Sequence, residues 1–138
     1  PRAFFSALSG GAFGLEGGGQ SQRSFIHWHD FSDGIIAMIE LGKPGNIYHF
    51  SNDELISIRD LIKRIAFITN VPFDNFVNEI KDRRGKDQAY RIDMQFTQDE
   101  LEWKPKVELE EGLATTHDWV NNNLSDLALE LQSYDHKE

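Results

Sequence analysis

Between Ser57 and Asn70 the apolar residues fall at Ile58, Leu61, Ile62, Ile65 and Ile68, with Arg59, Asp60, Lys63 and Arg64 between them. Steps of three and four gather the apolar set on one stripe of an α-helix, and Ser57 with Asp60 forms a capping box at its start. "HDFSDGIIAMIELGKPG" predicts a second helix, capped by Asp30 and Asp33, with Ile35, Ile36, Met38 and Ile39 as its stripe and Gly42 and Pro44 as its stop. Leu109, Leu113, Thr116 and Val120 give a third in "ELEEGLATTHDWVNNN", and Thr97 with Glu100 opens a brief one before Trp103. "RSFIHW", "NIYHF", "NEIK" and "AYRID" read as short strands. The opening "PRAFFSALSGGAFGLEGGGQSQ", rich in glycine, reads as a short apolar helix followed by loop. The expectation is a small mixed α+β domain of the α/β class, with short strands and three to four helices.

Composition narrows the class. With 138 residues, 39% hydrophobic and 12% aromatic, the chain suffices for one packed core. It has no cysteine, which excludes a disulfide framework, a thiolate metal site and a cysteine nucleophile within it. Apolar runs such as "GIIAMI" are far shorter than the roughly 20 residues that span a bilayer, and no basic leader opens the sequence. The expected setting is the cytoplasm, away from membranes.

The formal net charge is −9, and the excess is local: residues 107–138 carry eight acidic side chains against one basic. A field of that sign repels nucleic acid, whose binding needs a basic face. It leaves room for a local anion pocket. One candidate is "KDRRGKDQAYR", where Lys81, Arg83, Arg84, Lys86 and Arg91 surround Gly85. Guanidinium forks bind phosphate bidentately. Asp82 and Asp87 are interleaved, however, so charge alone supports a solvated, salt-bridged hairpin equally well.

Other motifs are weaker. Gly11, Gly14 and Gly17 spell G-x-x-G-x-x-G, but a dinucleotide fingerprint follows a buried strand and opens a helix, and the flanking residues predict neither. His27, His29 and Asp30 form H-x-H-D without a third ligand at metal-site spacing, so an ordinary element end with a capping aspartate is the simpler reading. Glu108, Glu110 and Glu111 suit a helix N-terminus.

"GGGQSQRSFIHWHD", "GKPGNIYHFSNDELISIRDLI" and "DRRGKDQAYRIDMQFTQDELEWKPKVELEEGL", taken in order, resemble the C-terminal portion of extended short-chain dehydrogenase/reductases acting on nucleotide sugars, the NDP-glucose 4,6-dehydratases and related epimerases. The resemblance covers residues 1–123, implying a substrate-binding domain there and an acidic tail or helix extension over 124–138. It implies a fold without the Rossmann half that holds NAD in the whole family. It also implies that Arg23 and Arg83 clamp the diphosphate of a nucleotide sugar. Lys86 stands where relatives often have histidine and Arg84 where they often have proline, both adding charge. Asn52 lies where relatives carry a glycine-rich turn with an asparagine.

The family's catalytic Tyr-x-x-x-Lys pair lies upstream of this region. Tyr48, Tyr90 and Tyr134 are followed four residues on by Asn52, Met94 and Glu138, and a tyrosine base needs a neighbouring cation to ionise near neutral pH. The expectation is therefore a binding domain with no catalytic residue, cofactor ligand or metal ligand of its own. Its predicted partners are a nucleotide sugar and, across an exposed apolar face, a Rossmann-half chain or a second copy. A fragment, a split-enzyme half and a truncated product kept as a binding or oligomerisation module all fit that reading.

Overall fold

The computed structural model describes residues 1–83 and 85–132, with side-chain surroundings given through Leu129. Arg84, Tyr134 and the end of the 124–138 segment lie outside the described residues. The expected mixed α/β class with short strands is what forms, with seven α-helices and five strands among the described residues. The chain divides into two compact units, one drawn from 1–19, 59–84 and 113–138 and the other from 20–58 and 85–112.

In the first unit, helix α1 (Arg2–Ser9) buries Ala3, Phe4 and Ala7 and ends at Gly10 in the left-handed conformation. Strand β1 (Phe13–Glu16) follows, where the glycine density had predicted loop. It pairs in parallel with β4 (Val77–Ile80), Phe13 opposite Val77 and Glu16 opposite Ile80. Gly14 fits because a Cβ there would sit 3.0 Å from Ile80 Cδ1. Gly17–Gly19 then form a 3-10 turn in which all three have positive φ.

Helix α3 (Ile58–Thr69) buries Leu61, Ile62 and Ile65 of the predicted stripe. A four-residue helix, α4 (Phe73–Phe76), adds Phe76 to the core. Helix α6 (Leu109–Asn122) contributes Leu113 and Val120, as its spacing predicts, and α7 (Leu124–Gln132) follows Asn123. Arg59 ties the unit together. Its Nη1 donates to the Gly18 carbonyl at 3.1 Å and to Glu79 at 2.6 Å, while its guanidinium lies 5.3 Å from the Phe73 ring centre.

The second unit is organised around helix α2 (Trp28–Leu41) and a three-stranded sheet in the order β3 (Ile56–Ser57), β2 (Gln22–Arg23), β5 (Ala89–Tyr90). β2 runs antiparallel to β3 and parallel to β5. The core here is Met94, Leu101 and Trp103, covered by Ile26, Ala37, Met38, Tyr48 and Phe50. Trp103 meets Phe50 edge to face, ring centres 4.9 Å apart, and its Nε1 donates to the Asp30 carbonyl at 3.0 Å.

Four local expectations for this unit change. Of the predicted strand "RSFIHW" only Arg23 is in a strand, and Trp28 already begins α2. Asp30 is no cap: it lies inside α2, buried, and its Oδ2 accepts the Val107 N–H at 2.9 Å. The cap is His27, whose Nδ1 accepts the His29 N–H at 3.3 Å. "NIYHF" runs outside any strand, and side chains take the backbone donors of His49 and of Ser51 just beyond it. Thr97 Oγ1 accepts the His49 N–H and Met94 Sδ accepts the Ser51 N–H. Thr97 is accordingly a buried residue inside α5 (Gln95–Leu101), and that helix starts two residues earlier than predicted.

The predicted stripe on α2 is also split between its two faces. Ala37 and Met38 pack on the core and Gly34 is buried against Phe50, whereas Ile36 and Ile39 are 54% and 76% exposed. At 100° per residue, Trp28, Ile36 and Ile39 share an arc opposite Asp30, Gly34 and Ala37.

Candidate functional site

Arg23 ends the central strand of the second unit's sheet, in register with Ile56 on one side and Tyr90 on the other. Gln22 beside it donates its N–H to the Gln88 carbonyl at 2.7 Å, which brings the 86–90 segment alongside. The half-buried Arg23 side chain then donates through Nη1 to the Gln22 carbonyl at 2.6 Å and through Nη2 to the Asp87 carbonyl at 2.9 Å. Both acceptors are neutral. The guanidinium is held in a fixed orientation, keeps donors to spare among its five, and has no carboxylate partner among the described residues. Guanidinium donors of this kind can pair with an anion.

Arg83 stands differently. It belongs to the first unit, its side chain is 77% exposed, and its Nε donates to Glu16 Oε2 at 2.9 Å. Its own N–H turns back to Asp82 Oδ1 at 3.1 Å. Exposed pairs of this kind contribute at most about 1 kcal/mol, so Glu16 restrains Arg83 without locking it. Lys86 is half-buried and already engaged within the protein.

Asn52 is fixed through its backbone. Its N–H donates to Ser24 Oγ at 3.0 Å, its carbonyl accepts from the same hydroxyl at 2.5 Å, and its Oδ1 accepts the Glu54 N–H at 3.1 Å. Asn52 also lines a cavity of about 380 Å³ with Asp53, Arg91, Ile92, Asp93, Met94, Gln95 and Gln98. Arg23, Asn52, Lys86 and Arg91 all belong to the second unit, and of them Asn52 and Arg91 line the cavity. The cavity itself carried no sequence signal, since its walls come from two segments about 40 residues apart with no shared motif.

The other motifs resolve structurally. His27 and His29 stack at 5.4 Å between ring centres, and no group of three or more metal-ligating side chains forms among the described residues. Glu110 and Glu111 occupy the first turn of α6, where the helix dipole favours them. The glycine run does follow a strand, but it enters a 3-10 turn rather than a helix. A Cβ on Gly17 would collide with the Asp82 carboxyl, so an acidic group occupies the approach a pyrophosphate would need. No helix among the described residues is long and apolar enough to cross a membrane.

No family model matches the sequence. The fold nevertheless superposes on the dTDP-glucose 4,6-dehydratase DesIV of Streptomyces venezuelae, solved with NAD bound, with a TM-score of 0.84 and 29% identity over 91% of this chain. The chain belongs to the nucleotide-sugar dehydratase/epimerase family of NAD-dependent extended short-chain dehydrogenase/reductases, and corresponds to the C-terminal part of its members. A dTDP-glucose 4,6-dehydratase of Mycobacterium tuberculosis is 34% identical over 130 residues, 91% of this chain. The Bordetella bronchiseptica enzyme WbmF, in complex with NAD+ and UDP, matches with a TM-score of 0.78 and 28% identity over 96% of this chain. The chain spans 38% of the Mycobacterium and DesIV relatives and 39% of WbmF.

Proposed function

We propose that this chain supplies the nucleotide-sugar side of an NAD-dependent dehydratase or epimerase site, with Arg23 as the principal diphosphate ligand and Lys86 of the same unit adding charge. The observation that carries the reading is the Arg23 guanidinium: half-buried, aimed by two neutral carbonyls, and without a counter-ion among the described residues. A partly desolvated cation attracts a phosphate more strongly than a solvated one, because the local dielectric is lower. NAD binding and the proton and hydride transfers fall to residues outside these 138, since the glycine turn does not fit a dinucleotide and no tyrosine here has lysine four residues on.

Titration calorimetry with UDP and dTDP tests this. Arg23→Ala should weaken binding roughly ten- to hundredfold, the loss of a charge-assisted pair, and Arg23→Lys should restore only part of it because lysine lacks the fork. Unchanged affinity in Arg23→Ala, or no binding of either nucleotide, overturns the assignment. A partner chain is supported by a separate feature, the outward apolar arc of Trp28, Ile36 and Ile39 on α2. Sedimentation velocity across a concentration series detects a second copy on that face.

A further inference from the structure

We propose that residues 46–50 are a free β-edge through which two copies of this chain pair, antiparallel and about a two-fold axis at Tyr48. The segment lies in no strand, yet its side chains alternate as a strand's do. Ile47 and His49 are exposed, while Tyr48 and Phe50 are half-buried and pack on the cluster of Met94, Leu101 and Trp103. In extended backbone, successive N–H groups point to opposite edges. Those of His49 and Ser51 share one edge, where they meet Thr97 Oγ1 at 2.8 Å and Met94 Sδ at 3.1 Å. The other edge carries the N–H groups of Tyr48 and Phe50 and the carbonyls of Asn46, Tyr48 and Phe50. None of these has a hydrogen-bond partner among the described residues.

The occupant is a second copy because the edge complements itself. The Asn46 N–H is already given to the Lys43 carbonyl at 3.2 Å, so the free donors are those of Tyr48 and Phe50. Set antiparallel about Tyr48, the segment uses both: each Tyr48 N–H meets the partner's Tyr48 carbonyl, and each Phe50 N–H meets the partner's Asn46 carbonyl. The contact is isologous and leaves no donor over. Charge also permits it. Between residues 41 and 51 Lys43 is the sole Lys, Arg, Asp or Glu, and the acidic excess that would hold two copies apart lies in 107–138. Edge strands that must stay single are blunted by lysine, proline or a bulge, and residues 46–50 include neither lysine nor proline. Ile47, 77% exposed, comes opposite the partner's His49 in a non-hydrogen-bonded pair, where side chains approach closest and apolar surface is covered. These residues differ from the Trp28, Ile36 and Ile39 arc on α2.

Amide hydrogen exchange read by NMR on the full chain, over a concentration series reaching about 1 mM to populate a small interface, tests this alongside sedimentation velocity on the same samples. The expected result is a dimer whose formation slows exchange about fivefold at the Tyr48 and Phe50 amides and leaves the Ile47 amide fast. Ile47→Lys, at an exposed side chain outside the core, should weaken self-association about tenfold or more and remove that protection. Ile39→Lys on α2 should leave both unchanged. Protein that stays monomeric with fast Tyr48 and Phe50 amides overturns the proposal and gives the edge to a strand of another polypeptide. A dimer in which those amides stay fast overturns it too, as does one lost in Ile39→Lys and kept in Ile47→Lys. No readout involves nucleotide binding at Arg23, so either reading can fail without the other.

Discussion

Removing the Asp30 carboxylate is the sharpest perturbation of the second unit. Asp30 is 2% exposed, sits in the first turn of α2, and accepts the Val107 N–H at 2.9 Å. Asp30→Ala leaves that N–H unpaired, at a cost of about 1–3 kcal/mol, and deletes a favourable charge at a helix N-terminus, about 0.3–1 kcal/mol more. Opposing this, burial of a carboxylate is itself costly, and alanine relieves that cost. Because the group is hydrogen-bonded and faces a helix dipole, we expect the losses to win, by about 1.5–3 kcal/mol. Asp30→Asn keeps an oxygen acceptor and forfeits only the charge, for about 1 kcal/mol or less. The assay is urea unfolding followed by tryptophan fluorescence, with Trp103 packed in the same cluster. At a slope of about 1–3 kcal/mol/M, Asp30→Ala should lower the midpoint by roughly 1 M. The reasoning fails if Asp30→Ala lies within about 0.5 kcal/mol of the parent, if Asp30→Asn is as damaging as the alanine, or if either stabilises the protein.

Two further predictions concern backbone geometry and pH. Gly19→Ala places a Cβ 2.8 Å from both the Arg59 N and Leu15 Cδ1 at φ +71°, whereas Gly10→Ala, at φ +70°, meets nothing within 4 Å. Both incur left-handed strain of about 1–2 kcal/mol, and only Gly19→Ala adds overpacking of about 1–3 kcal/mol; equal thermal midpoints for the two variants would contradict the packing shown. Lys43 titrates above its ordinary 10.5, chiefly through its hydrogen bond to Glu100 and secondarily through that carboxylate's charge. A folded-state value raised this way adds stability that is fully present below the unfolded value and disappears as pH rises through the folded one. NMR titration of the Lys43 ammonium should move back toward the ordinary value in Glu100→Gln, and no movement rules the pair out as the cause.

How much of this was legible in the sequence depended on whether one face or two of an element were apolar. In α3 the charged residues Arg59, Asp60, Lys63 and Arg64 set off the stripe from Ile58 to Ile68, whose central residues are the buried ones, while Phe67 stands exposed on the opposite face. In α2 both faces are apolar. Of the residues the spacing named, Ile36 and Ile39 face outward while Met38 packs on the core, beside Gly34, Ala37 and a buried Asp30 that no hydrophobic pattern selects. β1 was hidden for a different reason. Its glycine is tolerated by close packing on Ile80, a contact from a segment far along the chain. At the candidate site, Arg23 and Asn52 were reached through family resemblance rather than periodicity. The neutral carbonyls that aim Arg23 come from the backbone, whose hydrogen bonding does not show in residue identity.

The order in which the two units alternate along the chain constrains how a ribosome can deliver them. β1 waits for β4, about 60 residues later, before its edge is paired, and closing a loop of that length costs on the order of 3–4 kcal/mol of chain entropy. The second unit opens at residue 20 and is completed only by residues near 112, after the 59–84 segment of the first has passed between its halves. Early strands therefore spend much of synthesis unpaired. Non-local topology of this kind folds slowly and late, so yield in a cell should respond to translation speed and chaperone supply more than the chain's modest length would imply.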